Sequence, residues 1–233
     1  MKFQEKLLDS FIAFEQDIDL LNPIHTDRKD ALKRFEKQGF PSKKDESWKY
    51  TSLKSIIQKN YSLSSKSDKS VELRDVKKYF LNDLDSFKIV FVDGIYSPFL
   101  SKTTHDGMDI CVLSAALSKD KYKSTLKKYF NQIVPKDESL ASLNTSYTKE
   151  GAYIYIPKGV CPEDPVQIMH ISTGNQESIW LQPRNLIIAD KNSKVEIIER
   201  HQSLKDHSVV TNSLTEIYAE KNAFIDYYKI QND

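Results

Sequence analysis

The sequence predicts an α+β protein in which an N-terminal helical domain is followed by a right-handed β-helix, or β-solenoid, whose last coil is left open. Three observations predict this fold class. Apolar residues recur at helical spacing near the N-terminus, short strand-like runs replace them after Gly151, and one stretch of the strand-rich part repeats 30 residues later. We expect a helical domain at 1–85, a mixed α/β connecting region at 86–150 and the start of the β-helix core at 151–233.

The first predicted helix has one apolar face and ends at Asn22-Pro23. The polar face of this helix is acidic, which disfavours an amphipathic helix that binds anionic lipid and favours a helix docked on the protein core. The apolar face consists of Phe3, Leu7, Phe11, Phe14 and Ile18.

A second helix is expected to begin near Thr26 or Asp27, whose side chains could accept the free N–H groups of the first turn. Gly39 ends this helix, because glycine adopts the left-handed conformation without steric cost and Pro41 disfavours helix at the residue before it. The predicted buried positions are Ala31, Leu32 and Phe35.

The stretch GFPSKKDESWKYT, at 39–51, predicts a corner between two helices. Ser42 could cap a new turn, and the acidic residues Asp45 and Glu46 are favourable at the positive end of a helix. Trp48 and Tyr50 are expected to hold this corner against an apolar surface.

Residues 62–150 combine a linker with mixed secondary structure. The segment 62–70 is small and polar, which predicts a flexible connection, and a short helix follows with Leu73, Val76 and Phe80. The segment FKIVFVDG, at 87–94, predicts a strand that ends in a turn at Asp93-Gly94, and residues 110–113 predict a second short strand. A helical segment from Ser114 is expected to bury Leu117, Leu126, Phe130 and Ile133.

After Gly151 the sequence predicts strands and no helix. Short apolar or alternating runs are separated by turn residues, which is typical of an all-β region. The predicted strands are 153–156, 166–171, 180–189, 195–200, 209–218 and 224–230.

An internal repeat indicates how these strands are arranged. ADKNSKVEIIER at 189–200 aligns without a gap on AEKNAFIDYYKI at 219–230. A repeat period of 30 residues is typical of solenoids. Val195 and Ile225 are therefore expected to stack at equivalent inward positions, and so are Ile197 and Tyr227. Two successive hairpins in a β-sandwich remain the alternative. In a β-helix the end coil would expose an open strand edge, so we expect either a longer chain or a partner that supplies the next coil.

The composition excludes several classes of protein. Lys and Arg number 34 against 33 Asp and Glu, and neither half of the chain carries the one-sided charge that binds nucleic acid. No apolar run is long enough to span a membrane, and the N-terminus lacks the order of a secretory signal. Cys111 and Cys161 are far apart, so two free thiols and a cytoplasmic location are expected.

Candidate chemistry in the sequence is sparse, and no known catalytic or phosphate-binding motif is present. His201 and His207, with Glu199 and Asp206 nearby, form the best metal-like group, although histidines in a polar loop are more often solvated. Cys161 lies in a turn with no base beside it in sequence, and a nucleophile would need a histidine brought close by the fold.

The remaining candidates have structural interpretations. Cys111 alternates with apolar residues and is expected in the core, and Asp93 belongs to a turn. Arg184 is expected to be held by a carboxylate on an adjoining coil. We therefore assign no catalytic, cofactor-binding or metal-binding residue from the sequence.

Five segments in order, covering the chain from about residue 25 to its last residue, resemble the SufD family of iron–sulfur cluster assembly proteins. The most specific is the element at Arg28–Thr51, with its Gly-Phe-Pro followed by Asp-Glu-Ser-Trp-Lys-Tyr-Thr. The others are FVDGIYSPFLS (91–101), LNTSYTKEGAYIYIPKGV (143–160), QPRNLIIADKNSKVEIIE (182–199) and TNSLTEIYAEKNAFIDYYKIQ (211–231).

This resemblance implies a non-enzymatic scaffold in the SufBCD complex, with a helical domain on each side of a β-helix core. It further implies pairing with a SufB-like subunit and with SufC, which hydrolyses ATP, while this chain holds no cofactor. Family members continue well past residue 233, and the resemblance places the SufC-binding segment and the SufB-facing strands in that later part. A homodimer formed through the exposed coil remains an alternative to these partners.

Two alternatives remain beside this interpretation. SufB is the near alternative within the family, but its Glu-Pro-Glu-Trp-Met motif is missing, and the Gly-Phe-Pro element favours SufD. A β-helix can also host a polysaccharide lyase-like, carbohydrate-active enzyme, which would need a groove of carboxylates, basic residues and aromatics. Basic residues are scarce after residue 151, which argues against the enzyme.

Overall fold

The computed structural model describes residues 3–16, 24–63, 71–81, 86–105, 107–175 and 178–232. It is an α+β protein with helices in its N-terminal part and sheets that combine parallel and antiparallel pairs. Four short 3₁₀ turns accompany seven α-helices in these described residues. The helices are α1 (Phe3–Gln16), α2 (His25–Gln38), α3 (Lys54–Ile57), α4 (Leu73–Val76), α5 (Leu113–Ser118), α6 (Lys123–Tyr129) and α7 (Ser139–Tyr147).

Eleven strands lie in the described residues, and from Gly151 onward all regular structure there is strand, as predicted. The predicted runs 180–189 and 209–218 are each divided into two strands, the first at Gln182-Pro183 and the second at Asn212-Ser213. The strands are β1 (Phe87–Val92), β2 (Ile95–Tyr96), β3 (Asp109–Val112), β4 (Ala152–Ile156), β5 (Val166–Ser172), β6 (Ile179–Leu181), β7 (Arg184–Ala189), β8 (Lys194–Ser203), β9 (Val209–Thr211), β10 (Leu214–Ala219) and β11 (Phe224–Asn232).

The strands form three sheets. The orders are β11-β8-β5-β1-β2, β10-β7-β4-β3 and β6-β9. Only the β1–β2 and β3–β4 pairs are antiparallel, and the other named strand pairs are parallel. Because β1 pairs with β5, the connecting region shares a sheet with the strand-rich part.

The residues aligned by the sequence repeat are neighbours in space. Val195 pairs with Ile225 and Ile197 pairs with Tyr227 in the parallel β8–β11 ladder, as the repeat predicted. The two turns of the repeat also match, since Asn192 and Asn222 both have φ 58° and the Nδ2 of Asn222 donates to the Oδ1 of Asn192 at 3.0 Å. The same 30-residue offset holds in the β7–β10 ladder.

The main apolar core lies between the two larger sheets. It takes alternate residues of each strand, as expected when one face of a strand is buried. Its fully buried members include Ile89, Phe91, Ile154, Ile156, Val166, Ile168, Ile187, Val195 and Ile197.

A second layer of helices covers β6. Leu7 and Phe11 of α1 and Phe35 of α2 pack with Tyr147 of α7 and Trp180 of β6. The helix α2 is fixed to the end of α7 by Arg28, which is buried and donates to the Thr148 carbonyl from Nε at 3.1 Å and from Nη2 at 2.6 Å. This packing places the helical layer beside the parallel strands.

The stop of α2 follows the prediction, and its start does not. Gly39 has φ 70° and donates its N–H to the Phe35 carbonyl, so glycine ends the helix as expected. The helix begins at His25 after Ile24, and no side chain caps it, so the predicted cap at Thr26 or Asp27 is wrong. Ala31 and Phe35 are buried, and Leu32 is half-buried.

The corner at 39–51 forms, but its aromatic residues are not buried as predicted. Ser42 and Asp45 are linked by hydrogen bonds, and a 3₁₀ turn follows at Glu46–Trp48. Trp48 is only half-buried and Tyr50 is 90% exposed. The turn is therefore held by its own polar contacts.

The connecting region differs from the prediction at one buried position and one helix. Leu117, Leu126 and Phe130 are buried, whereas Ile133 is 55% exposed, because the chain leaves the helical path at Asn131, which has φ 61°. The helix α7 was not predicted. The helix end at Asn22-Pro23, Ile18 and most of the predicted linker (64–70) lie outside the described residues.

Candidate functional site

The candidate site is a polar cluster at inward positions of the main core. Phe91, His170 and His201 lie in register on neighbouring strands β1, β5 and β8. Their rings stack, with centroids 5.1 Å apart for Phe91 and His170 and 4.6 Å apart for His170 and His201. Glu199 is two residues before His201, so both side chains project from the same face of β8. Parallel register therefore brings together three ionisable groups that are distant in sequence.

Glu199 is the centre of the cluster and is completely buried. Its Oε1 accepts a hydrogen bond from His201 Nε2 at 2.7 Å, and Lys229 Nζ on β11 lies 3.3 Å from the same oxygen. Its Oε2 accepts from Tyr227 and from the donors of the opposite sheet, Asn185 Nδ2 at 3.1 Å and Thr215 Oγ1 at 3.0 Å. A buried carboxylate needs such partners to remain charged.

His170 is the least satisfied member of the cluster. Its side chain is buried, and its Nε2 has no hydrogen-bond partner among the described residues. Burial lowers the pKa of His170 to about 3, and the neighbouring His201 contributes to this decrease. The ring is therefore neutral near pH 7, and one of its nitrogens carries a free lone pair.

Opposing effects set the charge of Glu199. Burial by itself raises the pKa of Glu199. The hydrogen bond from His201 and the positive charge of Lys229 act in the opposite direction, and the pKa of Glu199 lies below its usual range. Burial and the charge of Glu199 raise the pKa of Tyr227, which keeps its hydroxyl protonated as a donor. The cluster thus contains one carboxylate, two imidazoles and several fixed donors.

A cleft of about 670 Å³ reaches this cluster from the helical side. Its walls come from α1, α7 and the strands, and both Phe91 and His170 line it. Aromatic side chains form much of the remaining wall, including Phe14, Tyr147 and Trp180. The cleft gives a small solute a route to one edge of the histidine stack.

The structure brings together two of the four residues of the metal-like group noted in the sequence, to which no metal was assigned. Glu199 and His201 do meet, whereas the predicted partners His207 and Asp206 are not part of the cluster, and the third member is His170. His207 Nδ1 instead lies 2.8 Å from the Lys205 carbonyl oxygen. Sequence reasoning missed His170 because VQIMHIS reads as an ordinary apolar strand, and only the 31-residue offset between β5 and β8 places it beside His201.

The other residues noted in the sequence do not belong to the cluster. Arg184 donates to Glu216 on the adjoining strand β10 at 2.7 Å, as predicted, and both side chains are buried. Cys161 is exposed, and Cys111 is half-buried with its pKa raised by burial. Asp93 is a buried turn residue whose carboxylate accepts from Thr173. No helix within the described residues is both long and apolar enough to cross a membrane.

Comparison with known proteins matches both parts of the chain to models of one protein family. A family model described as the SufBD protein N-terminal region matches residues 1–168, and a model described as the SUF system FeS cluster assembly, SufBD core domain, matches residues 170–233. The matched families give no support to the alternative of a carbohydrate-active enzyme.

Curated relatives agree with these family matches. An iron–sulfur cluster assembly SufBD family protein of Synechocystis is 23% identical over 83% of the chain, and one of Guillardia theta is 32% identical over 74%. The iron–sulfur cluster assembly protein SufD of Escherichia coli is 27% identical over 85% of the chain. The chain spans less than half of each relative, at 44%, 38% and 44% of their lengths.

Proposed function

We propose, from the premise that this chain belongs to the SufBD family, that it acts as a non-catalytic scaffold subunit in iron–sulfur cluster assembly. The observation that carries this proposal is that the two family matches together account for residues 1–168 and 170–233. We assign the chain to the SufD branch, pairing with a SufB-like subunit and with SufC, which supplies ATP hydrolysis. A cytoplasmic location accompanies this role.

The architecture that suits such a scaffold is the right-handed β-helix. Its support is the parallel, in-register stacking of β5 on β8 and β8 on β11, with β4, β7 and β10 stacked in the second sheet. Under this proposal, residues 151–233 are the first coils of the core, after a helical domain at 1–85 and a connecting region at 86–150. Each coil shelters the apolar face of its neighbour.

The outer strand β11 supplies a surface for assembly. Among the described residues it pairs with β8 alone, so its other edge presents backbone N–H and C=O groups. Phe224 is 66% exposed, Tyr228 is 54% exposed and Ile230 is 38% exposed. Any strand that stacks on β11, from this protein or from a partner, would bury part of this apolar surface.

Affinity purification tests the scaffold proposal. Tagged at its native locus, the protein is expected to co-purify with a SufB-like subunit and SufC. The double variant Phe224→Lys/Tyr228→Lys should reduce recovery of both at least about fivefold, because a lysine pair disfavours stacking on β11. Phe99→Lys is the matched control, since Phe99 is 99% exposed and lies outside β11.

Two results would contradict the proposal. Recovery of neither subunit with the unmodified protein would reject the scaffold role, and equal losses in the β11 variant and the Phe99 control would reject β11 as an assembly surface.

A further inference from the structure

We propose that His170, Glu199 and His201 form a binding site for one divalent first-row transition metal ion, such as Fe²⁺ or Zn²⁺. This inference goes beyond the scaffold role and does not depend on it. It revises the expectation from sequence that this chain holds no metal ligand.

The donor set of the three residues suits such an ion. One ligand atom from each of the three residues lies within 4.8 Å of the other two, and all three residues are buried. Two imidazoles and a carboxylate suit borderline divalent ions, including Fe²⁺, Co²⁺ and Zn²⁺, and leave coordination positions open. Neither cysteine of the chain belongs to the cluster, so a preference for soft Cu(I) is not expected.

The unsatisfied nitrogen of His170 also favours a bound metal ion. A buried polar atom without a partner costs free energy, and native cores contain few of them. The ring is held on both faces by Phe91 and His201, so it cannot turn freely to find another partner. A metal ion bound at this nitrogen would give it the partner that the described residues do not supply.

Glu199 occupies a position that is otherwise surrounded by apolar residues of the sheet. Its neighbour in the β5–β8 ladder is Ile168, and Ile89 precedes Ile168 in the same row of the sheet. The same face of these strands forms the main apolar core. A carboxylate in this row, and two imidazoles in the next inward row beside Phe91, therefore interrupt a core that aliphatic residues would fill at lower cost.

Lys229 acts as a competitor for the site. Its Nζ lies 3.3 Å from Glu199 Oε1 and 2.7 Å from Ser213 Oγ, and its side chain is 30% exposed. The ammonium neutralises Glu199 while the metal is absent, and it can move toward Ser213 and solvent when the ion binds. When the metal binds His201 Nε2, the hydrogen that this nitrogen donates to Glu199 moves to Nδ1 of the same neutral ring. The cleft lined by His170 provides the entry path.

The test measures metal binding by the purified 233-residue chain. Under anaerobic conditions, equilibrium dialysis should find one Fe²⁺ or Co²⁺ per chain, and bound Co²⁺ should give visible d–d absorption. His170→Phe, which keeps the ring stack, and Glu199→Gln, which keeps the shape, should each weaken binding at least roughly tenfold. His207→Ala is the matched control and should bind as the parent does.

The variant Lys229→Gln should change the affinity for the metal ion in the opposite direction. Removal of its positive charge should tighten Co²⁺ binding by about tenfold, because the ammonium repels the ion. Histidine ¹⁵N spectra of the unsubstituted chain, with and without Co²⁺, add a measurement that does not depend on any variant folding. Paramagnetic shifts should select His170 and His201 and spare His207.

The proposal is overturned by any of three results. These are no stoichiometric binding of Fe²⁺ or Co²⁺, binding that survives both ligand substitutions unchanged, and paramagnetic shifts on His207 in place of His170. Any of them would leave the cluster as a hydrogen-bonded network that only stabilises the core.

Discussion

Strands β8 and β11 contain the two copies of the sequence repeat, yet their burial differs sharply. Val195 and Ile197 of β8 are 1% and 0% exposed, whereas their partners Ile225 and Tyr227 on β11 are only half-buried. The difference arises because β8 has a strand on each side and β11 pairs only with β8 within the described residues. A similar local pattern therefore gives a core strand or an exposed strand, depending on what stacks on it.

The candidate site lies across this boundary. Glu199 and His201 belong to the buried strand, whereas Tyr227 and Lys229, which contact Glu199, belong to the exposed strand. The inner strands supply the buried imidazoles and carboxylate, and the outer strand supplies a movable cation. The site is thus sensitive to anything that stacks on β11.

The largest expected loss of stability comes from breaking the ion pair between an inner and an outer strand. Arg184 on β7 and Glu216 on β10 form an ion pair whose side chains are 0% and 1% exposed. Arg184→Met should destabilise the protein by about 3–5 kcal/mol, because it leaves the Glu216 carboxylate buried without its partner. Urea denaturation monitored by circular dichroism measures the loss.

Two controls separate charge burial from general disruption at Arg184. Arg184→Met combined with Glu216→Leu should recover much of the loss, since no charge is then stranded. Lys128→Met removes an exposed pair with Glu220 and should change stability by no more than about 1 kcal/mol. Equal losses in the three variants would mean that burial of the pair does not set its contribution.

A smaller loss of stability is expected when the same isoleucine-to-alanine substitution is made on each of the two strands. Ile197→Ala on β8 should cost about 3 kcal/mol, because it removes fully buried methyl groups and leaves a cavity. Ile225→Ala on β11 should cost about 1 kcal/mol, because part of this side chain already contacts solvent. Chemical denaturation of both variants gives the two values, and equal costs would show that β11 is buried in solution.

The smallest loss of stability is expected at the two asparagine turns, and it should be the same in both copies of the repeat. Asn192 and Asn222 have the same positive φ, so replacement by alanine should cost about 1 kcal/mol at each. Asn192→Gly and Asn222→Gly are the controls and should be close to neutral in thermal unfolding, because glycine accepts this conformation. A cost confined to Asn192 would make burial, and not backbone geometry, the cause.

Prediction from sequence succeeded where a local pattern sufficed. Strand texture after Gly151, the stop at Gly39 and the carboxylate partner of Arg184 were all foreseen. It failed at α7, whose buried face contains Ser142, Asn144 and Ser146, because polar residues give no apolar periodicity. It also failed at His201, which was expected in a solvated polar loop and lies buried in β8, because burial there depends on the neighbouring strands.

The sequence by itself determined the strand positions, the register of the repeat and the two asparagine turns, because side-chain alternation and backbone conformation are local properties of the chain. Only the tertiary structure decided that His170 joins Glu199 and His201, that Ile133 is exposed and that β11 is less buried than β8. These outcomes depend on which strand stacks beside which, and burial and electrostatic environment are set by such neighbours in space.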